Sequence, residues 1–187
     1  AQSISKLLSN NQATSYKGFN NACSVHEWTG RFMNYNSCKF RMTSVCGHVM
    51  GLDFISKYNN WDKVDPSELF NAETYKKEAS PNLKMPAYLE KEARGADFLV
   101  LWLDCDKEGE NICFEVIDAV RHSMNRFDMR NVYRAHFSSI TETDIKRAMS
   151  QLGVPDKNQA MSVDARQELD LRIGCAFTRY QTRFFQG

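Results

Sequence analysis

The spacing of hydrophobic and polar positions changes along the chain, and these changes predict the order of its helices and strands. Apolar residues recur at helical spacing in 1–8, and 85–94 has the composition of a polar helix. Residues 22–32 and 39–47 are typical of two strands joined by a polar turn. The stretch 75–86 contains two prolines and is predicted to be irregular.

The most regular pattern lies in the middle of the chain. Residues 97–103 are an apolar run typical of a buried strand, 109–121 have helical periodicity, and 131–137 alternate like a second strand. Thr141 and Asp144 resemble a capping box that opens another helix. Strand, helix, strand and helix in this order predict an α/β fold with parallel pairing, in which ligands bind beyond the carboxyl ends of the strands.

Breaks in the pattern predict the domain organisation. Ser67 is expected to cap a short helix after Pro66. The sequence "GVPDKN" (153–158) is the candidate boundary, so that 1–152 would form one domain and 153–187 the helical start of the next. A long helix is predicted from about residue 163 to 184.

Composition excludes several classes of protein. The 24 basic and 23 acidic residues leave a net charge of +1, so any basic surface must be local. Arginines 166, 172, 179 and 183 are the predicted basic surface. No apolar run is long enough to cross a membrane, and no membrane partner is expected. Six cysteines without a C-x-x-C pair predict mostly buried, reduced intracellular thiols, with a disulfide framework as the alternative.

Four acidic residues follow the strongest predicted strand directly: Asp104, Asp106, Glu108 and Glu110. Two like charges about 4 Å apart repel by about 1 kcal/mol in water and by more near a protein surface. The cluster could hold a hard cation such as Mg²⁺ or Ca²⁺, perform acid/base chemistry, or be a solvated loop at a helix N-terminus. Its position at a strand end favours a functional site, in which Glu110 only caps or solvates the helix start.

The same residues partly match a calcium-binding EF-hand loop. In "DCDKEGENICFE" (104–115), Gly109 is sixth and Glu115 twelfth, as that loop requires. An EF-hand also needs a helix before the loop, whereas the residues before Asp104 are typical of a strand. Calcium binding therefore stays a minor alternative.

Four motifs in register resemble one family. "LWLDCDKEGENICFEV" (101–116) is similar to the D-x-D-x-E-G-E signature of the Toprim domain of type IA topoisomerases. The segments 43–54, 134–141 and 163–179 agree with the same family in order and spacing. The amino-acid sequence of these motifs is similar to that of eukaryotic topoisomerase III, and closer to its beta form than to its alpha form. The resemblance covers nearly the whole chain and implies a Rossmann-like Toprim sheet flanked by helices.

The resemblance implies a site for Mg²⁺ and nucleic acid. Asp104 and Asp106 would hold Mg²⁺, with Glu108 assisting as the third acidic residue of the catalytic set. The residues expected to lie against nucleic acid are His48, Lys107, Arg134, Arg166 and Asp170. In this interpretation Arg166 binds a phosphate and is oriented by Asp170, one helical turn away. The structural alternatives are a surface ion pair for these two, a surface position for Arg134 and a structural role for His48.

The family implies a function for the parent protein. Its members make a transient break in one strand of DNA, and in the beta form also of RNA, through a tyrosine linked to the 5′ phosphate. A strand then passes and the break is resealed. None of the seven tyrosines has the family's Ser-Tyr-Pro-Arg context, and the glutamate-lysine-proline stretch expected upstream of residue 1 is absent. The chain alone is therefore expected not to cleave nucleic acid.

Partners and rival functions follow from the same comparison. The resemblance implies single-stranded DNA, and also RNA, as partners, a Tudor-domain scaffold protein as partner of the parent, and a location in the nucleus and also in the cytoplasm. Two rival functions remain open: another Toprim enzyme, such as a nuclease or primase, and a non-catalytic module that binds nucleic acid or a partner without metal. The predicted helix "VDARQELDLRIG" (163–174) argues against the first of these, because those relatives share only the Toprim core.

Overall fold

The structure, a computed structural model, describes residues 1–186, and for Gln186 only the backbone. Five α-helices and seven strands occur within these residues. The helices are α1 (Gln2–Leu8), α2 (Met85–Ala93), α3 (Lys107–Val120), α4 (Glu142–Ser150) and α5 (Lys157–Gln186). The strands are β1 (Thr14–Lys17), β2 (Ser24–Phe32), β3 (Tyr35–Met42), β4 (Met50–Phe54), β5 (Thr74–Glu78), β6 (Leu99–Leu101) and β7 (Val132–Arg134).

A parallel pair of strands carries the carboxyl edge on which the site lies. Strands β6 and β7 pair in parallel, with Leu101 opposite Arg134, and α3 connects them. This confirms the predicted α/β unit, although both strands are shorter than predicted. Arg134 also forms an antiparallel bridge with Gly153, so the predicted boundary segment begins against β7.

Two antiparallel sheets complete the strands. Strands β1, β2 and β3 form one sheet in that order, and β4 pairs with β5 in the other. The turn between β2 and β3 is shorter than predicted, and Met33 within it has a positive φ of 52°. The prediction that 75–86 is irregular is wrong for its first part, because β5 lies there. Both prolines come after the strand, so their missing N–H groups remove no hydrogen bond from the sheet.

Side-chain caps explain where several helices begin. Thr141 accepts a hydrogen bond from the Asp144 amide and starts α4, which confirms the predicted cap. The prediction for Ser67 is wrong: Asp65 caps the 3₁₀ turn Pro66–Phe70 and accepts the Ser67 amide at 2.8 Å. Asp156 accepts the amides of residues 158 and 159, which is why α5 starts six residues before the predicted start at 163.

The main core lies between α2, α3 and the β6–β7 pair. Val116, Ile117 and Val120 are buried along α3, as predicted, whereas Ile112 is only half-buried. Helix α5 packs along α3 on one side and against the 3₁₀ turn Pro66–Phe70 on the other. The position of a domain boundary near residue 152 stays a prediction.

The cysteines agree only in part with the prediction of mostly buried, reduced thiols. All six thiols are free, but only Cys23 and Cys113 are buried. Within residues 1–186, no helix combines the length and the apolar character of a membrane span.

Three of the four arginines of the predicted basic surface instead bind the main chain of the segment 58–72. The Nη1 atom of Arg172 lies 2.7–3.2 Å from the carbonyl oxygens of residues 69, 70 and 72. Arg179 donates to Tyr58, and Arg183 donates to Val64 at 2.9 Å. The prediction that the four arginines supply a basic surface is therefore wrong for Arg172, Arg179 and Arg183, because counting charges along a helix does not show which of them a neighbouring loop engages.

Replacing Arg172 with Met should destabilise the fold by about 1–3 kcal/mol, since partly buried carbonyl oxygens lose their donor. Urea unfolding measures the change. The matched control is Arg147→Met, because Arg147 is exposed and pairs only with the nearby Asp144. Equal stabilities of the two variants would contradict the structural role of Arg172.

Candidate metal and nucleic-acid site

The acidic segment, residues 104–110, begins three residues beyond β6 and runs into the first turn of α3. Asp104 and Asp106 are exposed. Asp106 has an extended backbone and caps α3, and its Oδ1 accepts the Gly109 amide at 2.7 Å. Among the described residues the Asp104 carboxylate accepts no hydrogen bond. The strand end therefore presents two carboxylates to solvent on one short stretch of chain.

Gly109 allows the acidic segment to turn back on itself. A Cβ atom at this position would lie 1.9 Å from the carbonyl oxygen of Asp104, far inside van der Waals contact. Only glycine leaves room for this close approach of two backbone segments. The glycine thus fixes the distance between the strand end and the helix start.

Arg134 lies beneath the acidic segment and holds it from inside. Its side chain is fully buried, and its guanidinium donates to the carbonyl oxygens of Leu103 at 2.7 Å and of Asp104 at 2.6 Å. It also donates to Glu110 Oε1 at 2.8 Å. The prediction that Arg134 contacts nucleic acid is not met in this structure, because the guanidinium is enclosed by main-chain acceptors. It positions the carboxylates instead.

Glu110 is the buried partner of this arginine. Its second oxygen accepts the Asp156 amide at 2.8 Å, and only 4% of the residue is exposed. The interpretation of Glu110 as a solvated or capping residue is therefore wrong: it joins the acidic segment, β7 and the start of α5. Burial also raises the pKa of the neighbouring Cys113 thiol to about 12, so this thiol is protonated at neutral pH.

Glu108 lies at the centre of the site and connects three elements. Its Oε1 accepts Arg166 Nη2 of α5 at 2.5 Å, and its Oε2 lies 3.1 Å from His48 Nε2. His48 belongs to the loop before β4. The structure thus brings together three predicted site residues from distant parts of the sequence: His48, Glu108 and Arg166.

Glu115 is a site residue that sequence reasoning missed, since it was considered only as a calcium ligand. It accepts the Val49 amide at 2.7 Å, and its Oε1 lies 3.1 Å from His48 Nδ1. Glu115 is buried on α3 and points to the His48 loop, and β6 rather than a helix precedes the acidic segment. Both facts contradict the EF-hand alternative. A glutamate next to Val116, on the buried face of a predicted helix, was the available signal.

The remaining predicted residues are less closely integrated. Asp170 makes no ion pair with Arg166 among the described residues, so the predicted orienting contact is absent in this structure. It borders a cleft of about 310 Å³ between β4 and α5. The other residues that line this cleft are His48, Met50, Gly51, Leu52, Ala79 and Gln167. Lys107 is exposed beside Asp106 and makes no side-chain hydrogen bond within residues 1–186.

The oxygen donors of the acidic segment fit a hard cation. Mg²⁺ is usually bound by one or two carboxylates, and water and substrate phosphates supply the other ligands. Asp104 and one oxygen of Asp106 satisfy that requirement. In the part of the chain that the structure describes, no three acidic, His or Cys side chains already form a metal-binding group, and Glu108 contacts Arg166 and His48 instead.

Arg134→Met should cost about 3–5 kcal/mol of folding stability, because Glu110 would be left buried and unpaired. Urea unfolding measures this loss. The stability of Arg134→Lys should lie between those of Arg134→Met and the unsubstituted chain, because lysine keeps the positive charge but not the fork of donors. A loss below about 0.5 kcal/mol in Arg134→Met, the range of ordinary surface changes, would refute the buried clamp.

Gly109→Ala should cost about 1–3 kcal/mol, since the new methyl group forces the Asp104 carbonyl to move. The control is Gly174→Ala in α5, where an added Cβ meets no atom within 4 Å. That change should leave stability equal or raise it by about 0.5–1 kcal/mol, because glycine is unfavourable inside a helix. Thermal unfolding distinguishes the two, and similar effects would argue against the tight turn.

Comparison with known proteins agrees with this geometry. The chain matches the Toprim domain family over residues 1–140. It is 64% identical to DNA topoisomerase 3-beta of Drosophila melanogaster and 65% identical to DNA topoisomerase 3-beta-1 of Homo sapiens, in both cases over 100% of this chain and over 21% and 22% of those proteins. Identity to DNA topoisomerase 3-alpha of Drosophila melanogaster is 44%, over 100% of this chain and 15% of that protein.

These similarities confirm the resemblance seen in the motifs, including the closer likeness to the beta form. The chain spans about a fifth of the length of the 3-beta relatives it matches. Topoisomerases with this domain are generally metal-dependent, which agrees with the donors at the strand end. On the match over residues 1–140, the chain belongs to the Toprim domain family.

Proposed function

We propose that this chain supplies the metal- and phosphate-binding part of a type IA topoisomerase. The parent protein makes a transient break in one nucleic-acid strand through a 5′-phosphotyrosine, passes a strand and reseals the break. The attacking tyrosine belongs to another part of the parent, since no tyrosine of this chain has the expected sequence context.

The arrangement around Glu108 is the observation that carries the proposal. Two exposed carboxylates, Asp104 and Asp106, directly precede in sequence a glutamate that contacts both Arg166 and His48. A cation bound by carboxylates and a guanidinium beside it form two positive centres, and both suit the oxygens of one phosphodiester. A solvated acidic loop would not need a buried arginine and a buried glutamate to hold it in place.

Mg²⁺ is the proposed metal. Asp104 and Asp106 would hold it, with Glu108 as an additional ligand or base. When bound, the cation would neutralise charge that develops on the phosphate oxygens. The residues of the chain itself do the rest: Arg166 binds phosphate, His48 lies beside Glu108, and the exposed ammonium of Lys107 tempers the acidic segment or meets the backbone of the nucleic acid.

Single-stranded DNA is the proposed partner, with RNA as a second one. Asp170 and the cleft between β4 and α5 continue the site along α5, where an extended strand could lie beside Arg166. Because the net charge of the chain is only +1, the attraction to phosphate must come from individual cationic residues, of which Arg166 and Lys107 are the proposed ones.

We further propose, on the family resemblance alone, that the parent binds a Tudor-domain scaffold protein. On the same resemblance alone, we propose the nucleus, and also the cytoplasm, as its location.

Changing Asp104 and Asp106 together to Asn should abolish Mg²⁺ binding, because amides keep the shape but remove the charge that a hard cation requires. Isothermal titration calorimetry with MgCl₂ measures the loss, and circular dichroism checks the fold. Asp118→Asn is the matched control, since this exposed carboxylate lies on α3 away from the acidic segment. Unchanged Mg²⁺ affinity in the double variant would refute the assignment of the ligands.

A further inference from the structure

Glu108 has two competing uses in the site. As a carboxylate two residues after Asp106 in the sequence it is a candidate metal ligand, but in this structure each of its oxygens already has a partner. Arg166 occupies one oxygen at 2.5 Å, and His48 lies 3.1 Å from the other. Each carboxylate oxygen keeps a further lone pair for a cation, but the guanidinium charge of Arg166 repels that cation, so Glu108 binds a metal more tightly once the Arg166 contact opens.

The Arg166 contact is the easier one to open. The side chains of Arg166 and Glu108 are 58% and 38% exposed, and ion pairs of this exposure contribute little to stability. His48 is less free to move, because its other ring nitrogen contacts the buried Glu115. The exposed arginine is therefore the mobile partner of Glu108, and His48 is the fixed one.

Arg166 also has other anions within its range. A guanidinium pairs with phosphate through the same fork of donors that it offers to a carboxylate. Asp170 lies four residues along α5 and is exposed, and residues four apart are neighbours on a helix surface. When Arg166 leaves Glu108, a second carboxylate can therefore steady it from its own helix.

We propose that a phosphate of the bound nucleic acid displaces Glu108 from Arg166 and thereby releases Glu108 to the metal. Arg166 is in this way a positioning residue that exchanges partners, and the metal and the nucleic acid bind cooperatively. The inference rests on the proposed function, since it requires that the chain bind both ligands. By thermodynamic linkage, each ligand must raise the affinity for the other by the same factor.

The first experiment measures Mg²⁺ binding without nucleic acid, by titration calorimetry on the 187-residue chain. Arg166→Ala should bind Mg²⁺ about two- to five-fold more tightly than the unsubstituted chain, which corresponds to the strength of an exposed ion pair. Arg147→Ala is the matched control: its side chain is also 58% exposed, and it pairs with Asp144 on α4. The control removes the same charge and should leave the Mg²⁺ affinity unchanged.

A double-mutant cycle separates partner exchange from a general charge effect. If Arg166 acts through Glu108, the change Arg166→Ala should not alter Mg²⁺ affinity in a Glu108→Gln background. A gain of the same size in both backgrounds would overturn the proposal, because the arginine would then act only as a distant positive charge.

The second experiment measures the coupling itself. The affinity for a short oligothymidylate is determined with and without Mg²⁺ for the unsubstituted chain, Arg166→Ala and Arg147→Ala. The factor by which Mg²⁺ tightens binding should be smaller in Arg166→Ala than in the other two. An equal factor in all three proteins would overturn partner exchange while leaving the proposed function intact. If the unsubstituted 187-residue chain bound neither Mg²⁺ nor the oligonucleotide, the proposed function would fail together with this inference.

Discussion

The buried ion pair of Arg134 with Glu110 holds the site together. The guanidinium satisfies the carbonyl oxygens at the end of β6 from below, and the glutamate takes the first amide before α5. Burying two charges is unfavourable unless their hydrogen bonds are satisfied, and here several main-chain partners serve that purpose. The strand end, the start of α3 and the start of α5 are thereby all bonded to one ion pair. This ion pair positions the exposed carboxylates of Asp104 and Asp106.

A second layer of contacts builds on this anchor. Because the start of α5 is fixed by Glu110, Arg166 lies two to three turns further along, opposite Glu108. Because Glu115 holds the main chain at Val49, His48 reaches the same glutamate from the other side. The rigid contacts are thus buried and the exchangeable ones exposed, an arrangement that suits a site where ligands must enter and leave.

The sequence predicted what depends on local signals and missed what depends on distant partners. The parallel pair, the Thr141 cap and the acidic segment at a strand end follow from periodicity and spacing, and the structure has them. Strand β5 was missed because the prolines that suggested irregular structure lie just beyond it. Three arginines of α5 were assigned to a basic surface, whereas carbonyl oxygens over 100 residues away engage them. The buried role of Glu110 was also hidden, because no pattern along the chain shows a nonlocal hydrogen bond, whereas Glu115 had a signal in its position next to Val116 on the buried face of the predicted helix.

The central claim is that the clamped strand end forms one metal site at Asp104 and Asp106. The most direct test is nuclear magnetic resonance of the isotope-labelled chain titrated with Mn²⁺, a paramagnetic cation that also prefers oxygen ligands. The account predicts that backbone amide signals of residues 104–109 broaden at the lowest Mn²⁺ concentrations, followed by those near His48 and Arg166, and that excess Mg²⁺ reverses the effect. Broadening that begins at unrelated carboxylates such as Asp118 or Glu142, with residues 104–109 unaffected, would contradict it.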